Sequence, residues 1–201
     1  MLKAALTGGI ATGKSYVLDR LRALGAATLD ADALAHGVTA AGTEATAFIA
    51  QRFGAEILAA DGAVDRKKLG PLVFADDRAR KDLEAIVHPA VYRAIQAGVR
   101  AFERAGDTAV LIIDIPLLYE TGREAEFDTV ICTACPPAVQ IHRLRERGLS
   151  EEAARQRLAA QMPAEEKAAR AKFVVRTDGT FADTDRQVRA VWETLTKDAR
   201  R

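Results

Sequence analysis

Short apolar runs punctuate a chain that is otherwise patterned for helices. Residues 2–6 form the first run and stop at Thr7-Gly8-Gly9, as a buried central strand would. Residues 14–24 then place Val17, Leu18, Leu21 and Leu24 on one helical face, with Gly25 as the stop. Residues 26–29 form a second strand candidate, followed at once by Asp30-Ala31-Asp32. Strand, glycine turn, helix and strand in that order open a βαβ unit and predict parallel neighbours. From 33 to 104 the pattern turns helical, with helices expected over 45–53, 66–73, 77–87 and 90–105. A break is expected at His88-Pro89, because the residue before a proline is pushed out of the α region. Residues 109–113 and 127–132 read as further buried strands. Helices follow over 136–147, 150–161 and 165–171, then a short strand at 173–175 and a last helix at 185–195. That helix would bury Val188, Val191, Trp192 and Leu195. The pattern as a whole predicts an α/β protein built on a parallel five-stranded sheet flanked by helices, with a helical insertion and a helical lid. The expected division is a core of 1–32 and 105–201, an insertion at 33–104, and a lid at 140–165 within the core.

Composition changes this picture little. Of 201 residues, 49% are hydrophobic and 28% charged, as in ordinary globular proteins. The formal net charge is +1, which gives no global field for a nucleic acid or an anionic membrane. No apolar run reaches the 18 residues of a membrane span, and the N-terminus lacks a signal-peptide pattern, so a cytoplasmic location is expected. Cys132 and Cys135 are formally a Cys-x-x-Cys pair. The first lies at a strand end rather than a helix N-terminus, and no further ligands have zinc spacing, so both read as packed residues.

The chemistry concentrates at the first turn. Gly8-Gly9-Ile10-Ala11-Thr12-Gly13-Lys14-Ser15 matches G-x-x-x-x-G-K-S between a strand and an amphipathic helix. Glycines there let several backbone N–H groups point at phosphate oxygens, Lys14 reaches the outer phosphates, and Ser15 serves Mg²⁺. Asp30 and Asp32 follow the second strand, at the sheet edge where a parallel fold gathers ligands. Either carboxylate suits a proton acceptor or a metal partner, and either suits a helix cap. Asp114 closes the strand at 110–113, where a carboxylate orients Mg²⁺ or caps a turn. Arg143 and Arg147 lie four apart on one helix, with Arg155 and Arg157 on the next. They read as a lid closing over a triphosphate or as a solvated charged face. His88 is a candidate by its place before Pro89, and it also suits simple packing.

These motifs in order resemble the dephospho-coenzyme A kinase family. The resemblance rests on T-G-G-I-x-x-G-K-S, L-D-A-D at 29–32, His88-Pro89, P-L-L-Y-E at 116–120, and the segment from Gln140 through Arg143, Arg147 and Arg155 to Gln161. It implies a P-loop kinase fold and ATP-dependent phosphorylation of the ribose 3′-hydroxyl of dephospho-CoA, the last step of coenzyme A synthesis. It further implies Asp32 as general base, with Lys14 and Arg143 acting on the phosphates. ATP would contact Gly9, Ile10, Ala11, Thr12, Gly13, Lys14, Ser15, Arg143 and Arg147. The acceptor would meet Asp32, His88, Pro89, Leu117, Leu118 and Glu120, with 33–104 as the CoA-binding domain. Mg²⁺ would sit by Ser15, and Asp114 joins it on the geometry of its strand end rather than on the resemblance. No nucleic-acid or membrane partner is implied, and a monomer is expected, with weak homo-oligomerisation as the alternative.

Two departures stand out. Ala11 occupies a position where the family usually has glycine, and alanine fits there if its φ is negative. Near 173–179, Lys172 stands for an acidic residue and Thr177 for an asparagine. Rival readings are another small P-loop kinase, acting on a nucleoside monophosphate, shikimate or gluconate, and a nucleotide switch. The guanine-reading string N-K-x-D of a GTPase is absent.

Overall fold

The computed structural model describes residues 1–200. The chain forms two compact units. One comprises Met1–Leu29 and the chain from Phe102 onward, and the other is Asp30–Ala101.

The first unit holds the sheet. Strands β1 (Leu2–Gly8), β2 (Ala27–Asp30), β3 (Val110–Asp114), β4 (Thr129–Ala134) and β5 (Phe173–Arg176) lie in the order β2-β3-β1-β4-β5. The pairs β1–β3, β1–β4 and β4–β5 are parallel. β3 and β4 are buried at every position. That is why they appear in the sequence as mainly apolar runs rather than as an alternation. β1 is central, with Leu6 opposite Asp114 on one side and Gly8 opposite Thr133 on the other.

Helix α1 (Lys14–Ala23) and the last helix, Phe181–Asp198, cover one face. Val17, Leu18 and Leu21 pack there with Val188, Val191 and Leu195 against Ala4, Leu6, Val110, Ile112 and Ile131. Each of these buried branched side chains contributes about 1.5–3 kcal/mol. On the opposite face Ala168 packs on Cys132 and Ala134.

The second unit is helical, as its periodicity predicts. It holds α2 (Ala31–Val38), α3 (Glu44–Phe53), α4 (Arg66–Ala75) and most of α5 (Asp77–Ala105). Ile49, Ile57, Val64 and Leu69 form its core, with Leu83, Ile86 and Val87 packed against them.

The expected break at His88-Pro89 does not occur. α5 runs unbroken through Pro89. A mid-helix proline costs about 3 kcal/mol through one lost hydrogen bond and a clash. Leu83, Ile86 and Val87 are partly buried before it, and Ala90, Val91, Tyr92 and Ile95 are buried after it. Burial on both sides outweighs the local cost. No helix among the described residues is long and apolar enough to cross a membrane.

β4 extends two residues beyond the predicted strand end, because Ala134 still pairs with Arg176 of β5. Cys132 therefore lies inside the strand, and both thiols are free and buried. Burial pushes the Cys132 thiol from its ordinary 9.0 up to about 12. It raises Cys135 as well, against the opposing charge of Arg143. An unfolded cysteine ionises near 9 whereas folded Cys132 stays neutral, so this contribution to stability is present below pH 9 and is lost as pH rises from there toward 12. A chromogenic disulfide reagent at pH 8 should titrate no fast thiol in the native protein and two after denaturation. One rapidly reacting native thiol would contradict this burial.

Candidate active site

The turn after β1 is held by steric necessity and by long-range hydrogen bonds. A Cβ on Gly8 would lie 2.1 Å from Thr133 Oγ1, so only glycine fits where β1 meets β4. Gly13, at φ 82°, precedes α1 in the left-handed region that glycine adopts at little cost. Between them, Thr12 Oγ1 donates to the Gly9 carbonyl at 2.7 Å and sits 2.7 Å from Thr133 Oγ1. Thr177 Oγ1 donates to the Thr12 carbonyl at 2.7 Å. No acidic residue stands in the first turn of α1, so its N-terminal amides and dipole are left for an anion. Ala11 departs from the expected negative φ. It adopts φ 59° and is buried, so alanine occupies a left-handed position here.

Lys14, at the start of α1, and Asp114, at the end of β3, meet. The ammonium donates to both carboxylate oxygens, at 2.5 and 2.6 Å, and Asp114 is buried. The register of β1 on β3 makes this pair, since Asp114 lies beside Leu6 and Lys14 returns over the loop. Ser15 is exposed in the first turn of α1. No cluster of three His, Cys, Asp or Glu side chains suited to a metal exists among the described residues. One carboxylate and one hydroxyl nevertheless suit Mg²⁺, which keeps several waters and takes phosphate oxygens as its other ligands.

Helices α6 (Pro137–Glu146) and α7 (Glu151–Ala159) form the predicted hairpin. Arg143 is not extended toward solvent. Its guanidinium donates to the carbonyl of Ala11 at 3.1 Å, to Thr177 Oγ1 at 3.2 Å and to the Thr177 carbonyl at 2.5 Å. Its immediate work is to tie the loop to the turn after β5. Arg143 also borders a cavity of about 580 Å³ with Gly13, Tyr16, Arg147, Thr177 and Phe181. Arg155 pairs with Glu151 on its own helix, as a solvated charge would.

In the helical unit, the carboxylates at the end of β2 and the start of α2 divide their work. Asp30 caps α2, accepting from the backbone N–H of Asp32 at 2.8 Å and of Ala33 at 3.0 Å. Asp32 lies in the first turn and is exposed. His88 is half-buried and lines a largely apolar groove of about 260 Å³ with Thr39, Arg66, Leu69, Glu84 and Val87. Pro89 is exposed on the same helix and is not among the groove's lining residues.

A family model described as Dephospho-CoA kinase matches residues 2–183. The chain belongs to the dephospho-CoA kinase family. A dephospho-CoA kinase of Anaeromyxobacter dehalogenans is 53% identical over 87% of this chain and 82% of its own length. One from Geobacillus kaustophilus is 43% identical over 98% of this chain and 99% of its own. The solved dephospho-CoA kinase of Campylobacter jejuni superposes with a TM-score of 0.73 at 28% identity, covering 98% of each chain. A shikimate kinase of Bacteroides thetaiotaomicron, at 16% identity and a TM-score of 0.50, shares only the P-loop kinase fold. Relatives of this kind make the chain an ATP-dependent kinase of the dephospho-CoA kinase family rather than a nucleotide switch.

The family-like segment 116–120 is more deeply built in than its motif suggests. Leu118 is fully buried, so its side chain packs in the core. Leu117 is 36% exposed. Glu120 pairs at 2.7 Å with Lys167, which is fully buried on α8 (Ala164–Arg170), and it accepts from the Met162 N–H at 3.1 Å. Lys167 also donates to the Pro116 carbonyl at 2.8 Å, and Thr7 Oγ1 donates to the same oxygen at 3.1 Å. Nothing in the sequence marked Lys167. A lysine among alanines on a short amphipathic helix is nearly always solvated. Removing the acceptor strands a buried charge, whereas removing the lysine removes that charge with its partner left near water. Glu120→Ala should therefore destabilise by about 3 kcal/mol and Lys167→Met by roughly 1 kcal/mol. Thermal or denaturant unfolding checks the order, and a reversed order would mean that the pair is not held as described.

Proposed function

We propose that this chain transfers the γ-phosphoryl group of ATP to the ribose 3′-hydroxyl of dephospho-CoA, giving CoA and ADP. The observation that carries the reading is the intact phosphate loop, with Lys14 against Asp114 at the carboxyl edge of the sheet, in a chain of this family. Triphosphate oxygens would be met by the loop amides from Gly9 to Ser15 and by the N-terminus of α1. Lys14 would exchange one anionic partner, Asp114, for another, so its charge is balanced before and after ATP arrives. The exchange would free Asp114 to act with Ser15 on Mg²⁺. Mg²⁺ held there would neutralise charge on the triphosphate.

The base of ATP would occupy the cavity beside Gly13, between Arg147 and the exposed ring of Phe181, which packs 4.9 Å from Tyr16. Arg143 would act there by holding Ala11 and Thr177 in place and by lending its charge. Asp32 takes the 3′-hydroxyl proton as that oxygen bonds to the γ-phosphorus and the bond to ADP breaks. The geometry favours Asp32 over Asp30, whose carboxylate is already spent on the helix cap. We assign 30–101 as the acceptor-binding unit, with the groove beside His88 receiving an apolar part of dephospho-CoA. Of segment 116–120, the exposed Leu117 and Glu120 would offer the first contacts to the acceptor, with Leu118 packed behind them. Pro89 would act through the helix that carries His88. Two free buried thiols fit a reducing, cytoplasmic setting. We take the working form to be a monomer without nucleic-acid or membrane partners.

Coupled ADP release with Mg-ATP should require dephospho-CoA, and release supported equally by a nucleoside monophosphate or shikimate would overturn the assignment. Asp32→Asn should lower kcat roughly 10²–10⁴-fold with ATP affinity little changed. Asp30→Asn, which still caps, should stay within a few-fold of wild type. Near-normal turnover by the Asp32 variant would remove it as the base.

A further inference from the structure

The peptide groups at the tip of the phosphate loop are gripped by the hairpin beside it. The Ile10 carbonyl accepts from Gln140 Nε2 at 2.6 Å, and the Ile10 N–H donates to Gln161 Oε1 at 3.1 Å. A carbonyl only accepts and an N–H only donates, so the polarity of each contact is fixed. Gln140 is buried on α6, and Gln161 follows α7, so opposite edges of the hairpin hold one residue. The next residue, Ala11, is the only non-glycine with positive φ among the described residues. Its methyl packs against Leu144 of α6 and Ala154 of α7, and its carbonyl accepts from Arg143.

An L-residue in this region is disfavoured by roughly tenfold in population relative to right-handed backbone. The loop shape that presents its amides to phosphate is therefore not the one Ala11 prefers. We propose that Gln140 and Gln161 are positioning residues for ATP, holding the loop tip in its phosphate-binding shape against the backbone preference of Ala11. The inference rests on the reading that this loop takes ATP. Apparent affinity scales with the fraction of molecules whose loop has that shape. Losing one clamp lowers the fraction, and it does so less where glycine replaces alanine, because glycine adopts positive φ freely.

The test is Mg-ATP binding by calorimetry, with steady-state kinetics, on Gln161→Leu in the natural chain and in an Ala11→Gly background. Gln161→Leu should weaken ATP binding about tenfold in the natural chain, but only about threefold relative to Ala11→Gly in the glycine background. It should raise KM for ATP, with kcat at saturating ATP and KM for dephospho-CoA within about twofold of wild type.

Paired glutamates test the polarity and guard against a misfolded leucine variant. Gln161→Glu keeps an acceptor for the Ile10 N–H, whereas Gln140→Glu sets a carboxylate against the Ile10 carbonyl. Both add the same charge beside the same residue, so Gln140→Glu should bind ATP at least about fivefold more weakly than Gln161→Glu. Equal losses in the alanine and glycine backgrounds, an unchanged affinity in Gln161→Leu, or matching glutamate variants would overturn the proposal. Failure of the wild-type protein to bind Mg-ATP would instead overturn the reading of the loop.

Discussion

The parallel pairing of β1 with β3 on one side and β4 on the other sets the position of everything that follows. It brings Gly8 beside Thr133 and Leu6 beside Asp114, so the chain leaves the sheet between a carboxylate and a hydroxyl. Lys14 can meet Asp114 only because the loop returns over that edge into α1. A different strand order would leave the same glycine-rich sequence as an ordinary turn. The sheet in turn depends on α1 and the C-terminal helix, whose apolar stripes bury one of its faces.

Buried polar groups gather at this edge. Thr7, Thr12, Asp114, Thr133, Gln140, Lys167 and Thr177 are all buried, and each has a hydrogen-bond partner. A buried polar group without a partner costs about 1–3 kcal/mol, so satisfaction on this scale holds the site to one arrangement. The partners lie far apart in the chain. Thr12 bonds Thr177, Arg143 bonds Ala11, and Lys167 bonds Glu120. The loop is therefore less a flexible tip than the meeting point of β1, β4, the α6–α7 hairpin and the turn after β5. Such preorganisation suits phosphoryl transfer, where the protein contributes mainly alignment and charge placement.

Much of the fold was legible in the sequence because its signals are local. The unbroken apolar run at 110–113 read as a buried strand, and Asp114 ended it. Val17, Leu18 and Leu21 showed the inward face of α1 by their spacing alone. Pro89 was misleading, because a proline's local preference was outweighed by the apolar side chains on either side of it. Of the candidate site residues, Lys14 and Asp114 were brought together as ion partners, while Leu118 proved to be core.

The sequence by itself determined the glycine-rich turn, the cation that follows it, the helix faces and the alternation of strand and helix. Those properties depend on steric limits and periodicities spanning a few residues. Only the tertiary structure decided that Asp30 caps while Asp32 does not, that Lys167 is buried, and that Arg143 turns inward to Ala11 and Thr177. It also decided that Ala11 is left-handed. Each of these depends on which partner is within about 3 Å, and the partners of Arg143, Lys167 and the loop are set by sheet order and helix packing rather than by neighbours in the chain.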